Sequence, residues 1–216
     1  PLKLELRNWD RLPDGPCIIA AKHQSAYETL KLPLLLDRPA IILKKELMYI
    51  PIWGWYAAKL DMIAIERGGG RRAIRSMVEG ARRMYKQGRP IVIFPQGTRL
   101  RPGHICPYKW GVAKLYEELN LPVYPLALNS GVFWPRKSFL KKPGTVVMEF
   151  LEPIEPGLPA DKMLERLEYE LESASNRLAC EAGGPPAPLP GSDEWEAERP
   201  RRRRSAPRAG SLTGEV

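Results

Sequence analysis

Short runs of apolar residues alternate along the chain with longer amphipathic segments. The runs have the length of buried strands, and the segments between them repeat apolar residues at helical spacing. Strands are predicted at residues 2–6, 17–21, 40–43, 62–65, 91–94, 121–128 and 145–150. Helices are predicted from about Ala26 and at residues 71–87, 109–120 and 161–178. This alternation is typical of an α/β fold, so we predict one domain with a mixed, largely parallel central sheet flanked by helices.

Two prolines set the run at residues 121–128 apart from the others. Pro122 and Pro125 lack the N–H group that a central strand donates to its neighbour, and prolines are therefore found mainly in edge strands. We expect this segment at an edge of the sheet or in an irregular conformation that faces a ligand.

Residues 47–60 are more apolar and aromatic than one buried helix face requires. They could form a core helix. They could equally line a groove for an acyl chain, or lie in the headgroup layer of a membrane, where tryptophan and tyrosine are favoured. Pro51 and Gly54 argue against one long regular helix in either case.

The composition changes near residue 180. We predict that residues 1–180 form the folded domain and that residues 181–216, which are rich in Pro, Gly and Arg, form a disordered tail. The chain begins at Pro1, so an N-terminal membrane anchor could precede it. The apolar, uncharged stretch at residues 47–58 is shorter than the roughly 20 residues that a spanning helix needs.

The formal net charge of +9 belongs to the predicted domain, because the six arginines and six acidic residues after residue 180 cancel. A basic surface favours anionic partners such as phosphorylated metabolites, coenzyme A, acidic carrier proteins or anionic lipids. Nucleic acid is disfavoured, since the basic residues are not interleaved with stacking aromatics. The three cysteines have no metal-type spacing and indicate reduced thiols in a cytosolic setting.

His23 and Glu28 are the first candidate for catalysis. His23 follows the apolar run at residues 17–21, and a loop at a strand end is where functional side chains are common. An imidazole held by a carboxylate can take a proton from an alcohol. A structural interpretation competes with this one, because Ser25 and Glu28 have the spacing of a capping box at a helix start.

A second polar cluster follows the strand predicted at residues 91–94. Gln96, Gly97, Thr98 and Arg99 bring an amide, a flexible glycine, a hydroxyl and a guanidinium to the end of a parallel-type strand, where open α/β sheets bind ligands. The planar guanidinium matches the geometry of phosphate oxygens. This pattern favours an anionic substrate.

Four blocks stand in a fixed order at these strand ends, and together they resemble the glycerolipid acyltransferase family, of the 1-acyl-sn-glycerol-3-phosphate acyltransferase type. The blocks are His23-x4-Glu28, Ile65-Glu66-Arg67, Phe94-Pro95-Gln96-Gly97-Thr98-Arg99 and Leu121-Pro122-Val123-Tyr124-Pro125. The likeness covers roughly residues 14–155.

The resemblance implies transfer of an acyl chain from acyl-CoA or acyl-carrier protein to the free hydroxyl of a lysophospholipid. It implies His23 as the general base and Glu28 as its orienting carboxylate. Arg67, with the 96–99 cluster of Gln96, Gly97, Thr98 and Arg99, would bind the acceptor phosphate. It further implies work at a membrane surface, which we place at the cytoplasmic face of the inner (plasma) membrane. No cofactor or metal is expected, because a thioester is already activated and His23 and His104 are the only histidines.

The sequence departs from the family at four positions. The family usually has aspartate where Glu28 stands and glutamate where Gln96 stands. It also tends to have glycine and a large apolar residue where Asp61 and Ala64 stand. The change at Gln96 removes a negative charge beside the acceptor site. Alternatives are therefore another acceptor, such as a lyso-ornithine lipid or glycerol 3-phosphate, or a non-catalytic basic module that binds membranes.

Overall fold

A computed structural model describes residues 1–66 and 68–198. Its strands are β1 (Leu2–Arg7), β2 (Ile18–Ala21), β3 (Ala40–Lys44), β4 (Ile63–Ile65), β5 (Ile91–Ile93), β6 (Val123–Leu128) and β7 (Gly144–Phe150). Its α-helices are α1 (Tyr27–Leu35), α2 (Trp53–Lys59), α3 (Gly70–Lys86), α4 (Gly111–Leu119), α5 (Ser130–Phe133), α6 (Ala160–Glu181) and α7 (Asp193–Glu198). Single 3-10 turns cover Trp9–Arg11 and Lys45–Tyr49.

The strands form one sheet in the order β1-β7-β6-β2-β5-β3-β4. Neighbouring strands are parallel except for β6 and β7, which are antiparallel. The predicted α/β fold with a mixed, largely parallel sheet is therefore confirmed. Strands β2 and β5 are neighbours, with Ile19 opposite Val92, so the loops that leave their carboxyl ends open at the same edge of the sheet.

Alternating side chains of the strands build a hydrophobic core on each face of the sheet. One core packs residues such as Ile18 and Ile91 against helices α3, α4 and α6. The other packs residues such as Ile19 and Val92 against α1, α2 and α5. Because helices cover both faces, β2 and β5 are apolar at every position, as is usual for buried parallel strands.

The prediction that residues 121–128 form an edge or irregular segment is wrong. Strand β6 lies inside the sheet between β7 and β2, and all six of its residues are buried. Pro122 precedes the strand. Pro125 is bonded on the β7 side, where its carbonyl oxygen accepts the N–H of Leu151 (N···O 3.0 Å). This bond does not require an N–H group on Pro125.

Residues 47–60 form neither a long helix nor a closed core. A 3-10 turn and the short helix α2 meet at Gly54, whose amide donates to the carbonyl of Ile50 (2.7 Å). A Cβ at Gly54 would lie 1.9 Å from the carbonyl oxygen of Met48, so only glycine fits. Ile52 and Trp55 are exposed.

The predicted tail boundary at residue 181 is also incorrect. Residues 182–198 continue with ordered contacts: Trp195 on α7 is only 2% exposed, and the N–H of Ala187 donates to Oδ1 of Asn176 (2.7 Å). The prediction of disorder is therefore wrong for residues 181–198. Residues 199–216, with the arginines at 201–204, lie outside the described residues.

None of the helices in residues 1–66 and 68–198 is long and apolar enough to span a lipid bilayer.

Candidate active site

His23 lies in the loop between β2 and α1, and its backbone is fixed on both sides. Its N–H donates to Oε1 of Gln96 (3.0 Å), and its carbonyl accepts the N–H of Leu100 (2.9 Å). Its ring stacks on Phe94, with the ring centroids 4.1 Å apart. The side chain keeps 15% of its surface exposed, so it is rigidly held and still reachable.

Glu28, on the first turn of α1, is fully buried, and four donors surround its carboxylate. Oε1 accepts hydrogen bonds from the N–H groups of Gln24 (2.8 Å) and Ser25 (2.7 Å), and it lies 2.9 Å from Nδ1 of His23. Oε2 accepts the hydroxyl of Ser130 (2.7 Å). These bonds replace the water that the buried carboxylate has lost. The predicted pairing of His23 with Glu28 is present in the structure.

The capping interpretation of Glu28 is correct in part. Its carboxylate accepts the N–H of Ser25, as a capping box requires. The reciprocal bond differs, because the Ser25 hydroxyl accepts the N–H of Tyr27 (3.1 Å) instead. One carboxylate therefore both starts helix α1 and holds the imidazole.

The contact with Glu28 fixes the chemistry of the His23 ring. A carboxylate only accepts hydrogen bonds, so the bonded Nδ1 carries a proton, and the tautomer of the neutral ring that this contact selects has its lone pair on Nε2. Nε2 lies on the opposite edge of the ring from Glu28, and His23 lines a large cavity. The arrangement can accept a proton from a molecule in that cavity.

The cavity has a volume of about 970 Å³ and lies along the edge of the sheet where β2, β3, β4 and β5 end. Most of its wall is apolar, and Leu47, Ile50 and Trp53 contribute to it. This observation supports the groove interpretation of residues 47–60 for these three side chains. Ionic side chains at the wall are Lys44, Glu66, Arg99 and Lys109, so among the described lining residues cations outnumber carboxylates.

All four members of the predicted 96–99 cluster line this cavity beside His23. Gly97 has a positive φ of 66°, and its N–H donates to the carbonyl of Phe94 (2.9 Å), which turns the chain sharply after β5. A Cβ at Gly97 would lie 3.4 Å from Cγ of Lys109, an ordinary contact, so the positive φ is what favours glycine here. Arg67 lies outside the described residues, while its neighbours Glu66 and Gly68 line the cavity.

A buried polar network below His23 was missed from the sequence. Gln96 accepts the N–H of His23 through Oε1 and donates through Nε2 to Oε1 of Glu172 on α6 (3.2 Å). The same oxygen accepts the hydroxyl of Tyr108 (2.7 Å), and Lys22 bonds to both oxygens of Glu172. Burial and the adjacent carboxylate raise the pKa of Tyr108 well above its usual value, so the phenol remains a donor.

Helix α6 was predicted only as a core helix, although its sequence contains a signal for this network. Glu168 and Glu172 lie at helical spacing inside the apolar stripe that includes Leu164, Leu167 and Leu171. A carboxylate at a buried helix position needs a partner, so such residues predict a buried ion pair or hydrogen-bond network. The sequence does not reveal which side chains complete it.

Among the described residues, no group of three His, Cys, Asp or Glu side chains could hold a metal ion. The cysteines are free thiols. Burial raises the pKa of Cys17 to about 12 and that of Cys106, which lines the cavity, to about 11.

The chain is similar in sequence to known acyltransferases. The chain is 36% identical over 145 residues to a 1-acyl-sn-glycerol-3-phosphate acyltransferase of Pseudomonas aeruginosa, an alignment that covers 67% of this chain and 56% of the relative. It is 30% identical over 156 residues to the human 1-acyl-sn-glycerol-3-phosphate acyltransferase beta, with 71% of this chain and 56% of the relative covered. The chain thus spans little more than half the length of these relatives.

The fold has a close counterpart among solved structures. The crystal structure of the 1-acyl-sn-glycerophosphate (LPA) acyltransferase from Thermotoga maritima superposes with a TM-score of 0.69 at 24% identity, covering 82% of this chain and 72% of that one. A family model described as Acyltransferase matches residues 3–129, which include β2 to β6, all of β1 except Leu2, and all described residues of the His23 site except Ser130 and Glu172. The chain belongs to the Acyltransferase family.

Proposed function

We propose that this protein transfers an acyl chain from a thioester donor, acyl-CoA or acyl-carrier protein, to the free hydroxyl of 1-acyl-sn-glycerol 3-phosphate, forming phosphatidic acid. The observation that carries the proposal is the His23–Glu28 pair (2.9 Å) at the wall of a 970 Å³ cavity that is mostly apolar. A base in contact with a space for acyl chains fits this reaction.

Proton transfer to His23 starts the reaction. Nε2 takes the proton of the acceptor hydroxyl as its oxygen attacks the thioester carbonyl, and the C–O bond forms while the carbonyl π electrons move to oxygen. The tetrahedral intermediate then collapses, the C–S bond breaks, and the imidazolium returns the proton to the leaving thiolate. Glu28 stabilises the imidazolium between the two steps.

The charged part of the cavity supports a phosphate-bearing acceptor. Arg99 and Lys109 line the wall, and Thr98, which carries a hydroxyl, lines it as well. This chain has Gln96 where the family usually has glutamate, so the charged part of the cavity carries one negative charge fewer. Arg67 stays a predicted phosphate ligand.

A second acceptor remains compatible with the same chemistry. A lyso-ornithine lipid or glycerol 3-phosphate would place a similar hydroxyl near His23. We consider these acceptors because Gln96 stands where the family usually has glutamate. We place the reaction at the cytoplasmic face of the inner membrane, since its acceptor and product are lipids.

Incubating the purified chain with labelled acyl-CoA or acyl-carrier protein and a panel of acceptors tests the proposal. We expect label to appear in phosphatidic acid, and the other acceptors to compete weakly. Transfer only to a lyso-ornithine lipid or glycerol 3-phosphate would change the acceptor. Absence of transfer to every acceptor from both donors would refute an acyltransferase function.

A further inference from the structure

A basic loop with an apolar tip connects α5 to β7. Residues 136–142, which we call the tip loop, read Arg-Lys-Ser-Phe-Leu-Lys-Lys. At its centre Phe139 is 100% exposed and Leu140 is 83% exposed. Exposing two adjacent large apolar side chains to water is unfavourable in free energy, and such exposure marks surfaces that bind another protein or a membrane.

The tip loop is held in a defined conformation. Nε1 of Trp134 donates to the carbonyl of Ser138 (2.9 Å), and the Ser138 hydroxyl donates to the carbonyl of Leu140 (3.1 Å). The N–H of Lys142 donates to the carbonyl of Phe133 (2.8 Å), which closes the base of the loop. These bonds present Phe139 and Leu140 outward, away from both hydrophobic cores.

Positive charges flank the apolar tip on both sides. Arg136 and Lys137 precede it, Lys141 and Lys142 follow it, and all four side chains are exposed. Nζ of Lys141 lies 4.2 Å from the centre of the Trp134 ring, which holds this cation beside the base of the loop. The sequence has no acidic residue between Glu118 and Glu149 to neutralise them.

The tip loop lies at the same edge of the sheet as the proposed active site. Nη1 of Arg136 donates to the carbonyl oxygen of Arg99 (3.3 Å), and Arg99 lines the cavity. The loop follows the carboxyl end of β6, which is parallel to β2. A surface that meets the tip loop would therefore meet the protein beside the cavity.

We propose that the tip loop docks the protein on an anionic lipid bilayer, with Phe139 and Leu140 inserted below the headgroups and the four cations bound to lipid phosphates. Apolar insertion and attraction to anionic lipids add to each other in peripheral membrane proteins. An acidic protein would satisfy the cations, but a protruding, fully exposed Phe139 fits a fluid hydrocarbon layer better than a folded surface. This surface is additional to the proposed reaction, and a lipid acceptor would reach the cavity through it.

Sedimentation of the purified chain with vesicles tests this docking. Vesicles of phosphatidylcholine alone are compared with vesicles of equal parts phosphatidylcholine and phosphatidylglycerol. The double variant Phe139→Ser with Leu140→Ser, and the double variant Lys137→Asn with Lys142→Ser, should each bind the anionic vesicles about tenfold or more weakly. The second pair avoids Arg136 and Lys141, which contact Arg99 and Trp134.

Arg83→Gln with Lys86→Gln is the matched charge control, because both residues are exposed at the end of α3 that precedes β5, at the opposite edge of the sheet. This control should bind like the wild type. Unchanged vesicle binding in both tip-loop variants would overturn the proposal. If these variants keep vesicle binding but lose binding to an acidic carrier protein, the loop is a binding site for that protein instead.

A soluble acceptor separates this inference from the proposed function. With a short-chain 1-acylglycerol 3-phosphate kept below its micelle concentration, the tip-loop variants should transfer acyl groups at the wild-type rate. If the wild type transfers nothing, the proposed function fails, while the vesicle measurement still decides the role of the loop.

Discussion

At the scale of single residues, Glu28 shows how one side chain serves both fold and site. Its two oxygens reach in different directions, Oε1 to the start of α1 and to His23, and Oε2 to Ser130 after β6. The family usually has the shorter aspartate here. In this chain the extra methylene is accommodated without losing the imidazole contact, so the charge and its position are both retained.

The cysteines give a residue-scale prediction, because only a thiolate reacts quickly with disulfide reagents. The pKa of about 11 leaves about one Cys106 thiol in a thousand ionised at pH 8, and Cys17 is buried with a still higher pKa. Exposed Cys180 should therefore react first with a coloured disulfide reagent at pH 8.

The rates are assigned with Cys180→Ser, which should remove the fast phase. The rate at Cys106 should rise about tenfold per pH unit as the pH approaches 11, because its thiolate fraction grows in that proportion. Reaction of Cys106 as fast as Cys180 at pH 8 would contradict the environment described for the cavity.

At the scale of elements, helix α6 supports the loop that carries His23 although it does not touch the imidazole. Glu172 binds Gln96, and Gln96 binds the backbone of His23. Lys22 neutralises Glu172, and the whole group is buried. Gln96 suits this place because an amide can accept from His23 with one end and donate to Glu172 with the other.

Gln96→Glu should therefore be harmful here even though it restores the usual family residue. It would place two carboxylates about 3 Å apart beside one lysine, and like charges at that distance in a buried site are strongly unfavourable. We expect a loss of about 1–3 kcal/mol in the free energy of unfolding and about a tenfold lower kcat, measured by chemical denaturation and acyl transfer.

The double variant Gln96→Glu with Glu172→Gln should recover most of both losses. It exchanges the two groups, keeps one carboxylate near Lys22, and still offers an acceptor to the N–H of His23. Additive losses in the double variant, instead of recovery, would show that the two residues are not coupled.

The elements also show which features could be predicted from the sequence. The apolar runs predicted the buried strands, since every strand position that faces a core must be apolar. The spacing of His23 and Glu28 after such a run predicted their contact. Pro125 misled the prediction for β6 because its effect depends on which neighbour its N–H would face, and strand order is not local information. Glu172 was missed for the same reason, since its partners come from distant loops.

At the scale of the whole molecule, the cavity joins side chains from elements that are far apart in sequence. Leu30 on α1, Ala73 on α3 and Ile93 on β5 contribute to its apolar wall, and Arg99 and Lys109 to its charged part. A space of this size holds a drug-sized ligand. The arrangement predicts that acyl-chain length is limited by the wall and that the acceptor phosphate is fixed by the charged part.

Ala73→Phe should shift the preference toward shorter acyl donors, because the larger ring occupies the cavity. Losing burial of about two methylenes, each worth about 0.8 kcal/mol, would lower kcat/KM for a long-chain donor about tenfold, with little change for a short one. Ser76→Phe, on the exposed side of the same helix, is the matched control. Equal effects of both substitutions on long and short donors would place the acyl chain elsewhere.

The base role of His23 is tested most directly by the single-turnover rate of acyl transfer in the variant His23→Ala. Loss of the base should lower this rate by about 10²–10⁴-fold. Folding should be preserved, because the contacts that fix the loop use the backbone of His23 and the side chain of Gln96. A cooperative thermal unfolding transition of the variant, as in the wild type, confirms that condition. A folded His23→Ala protein that keeps half of the wild-type rate would contradict the mechanism.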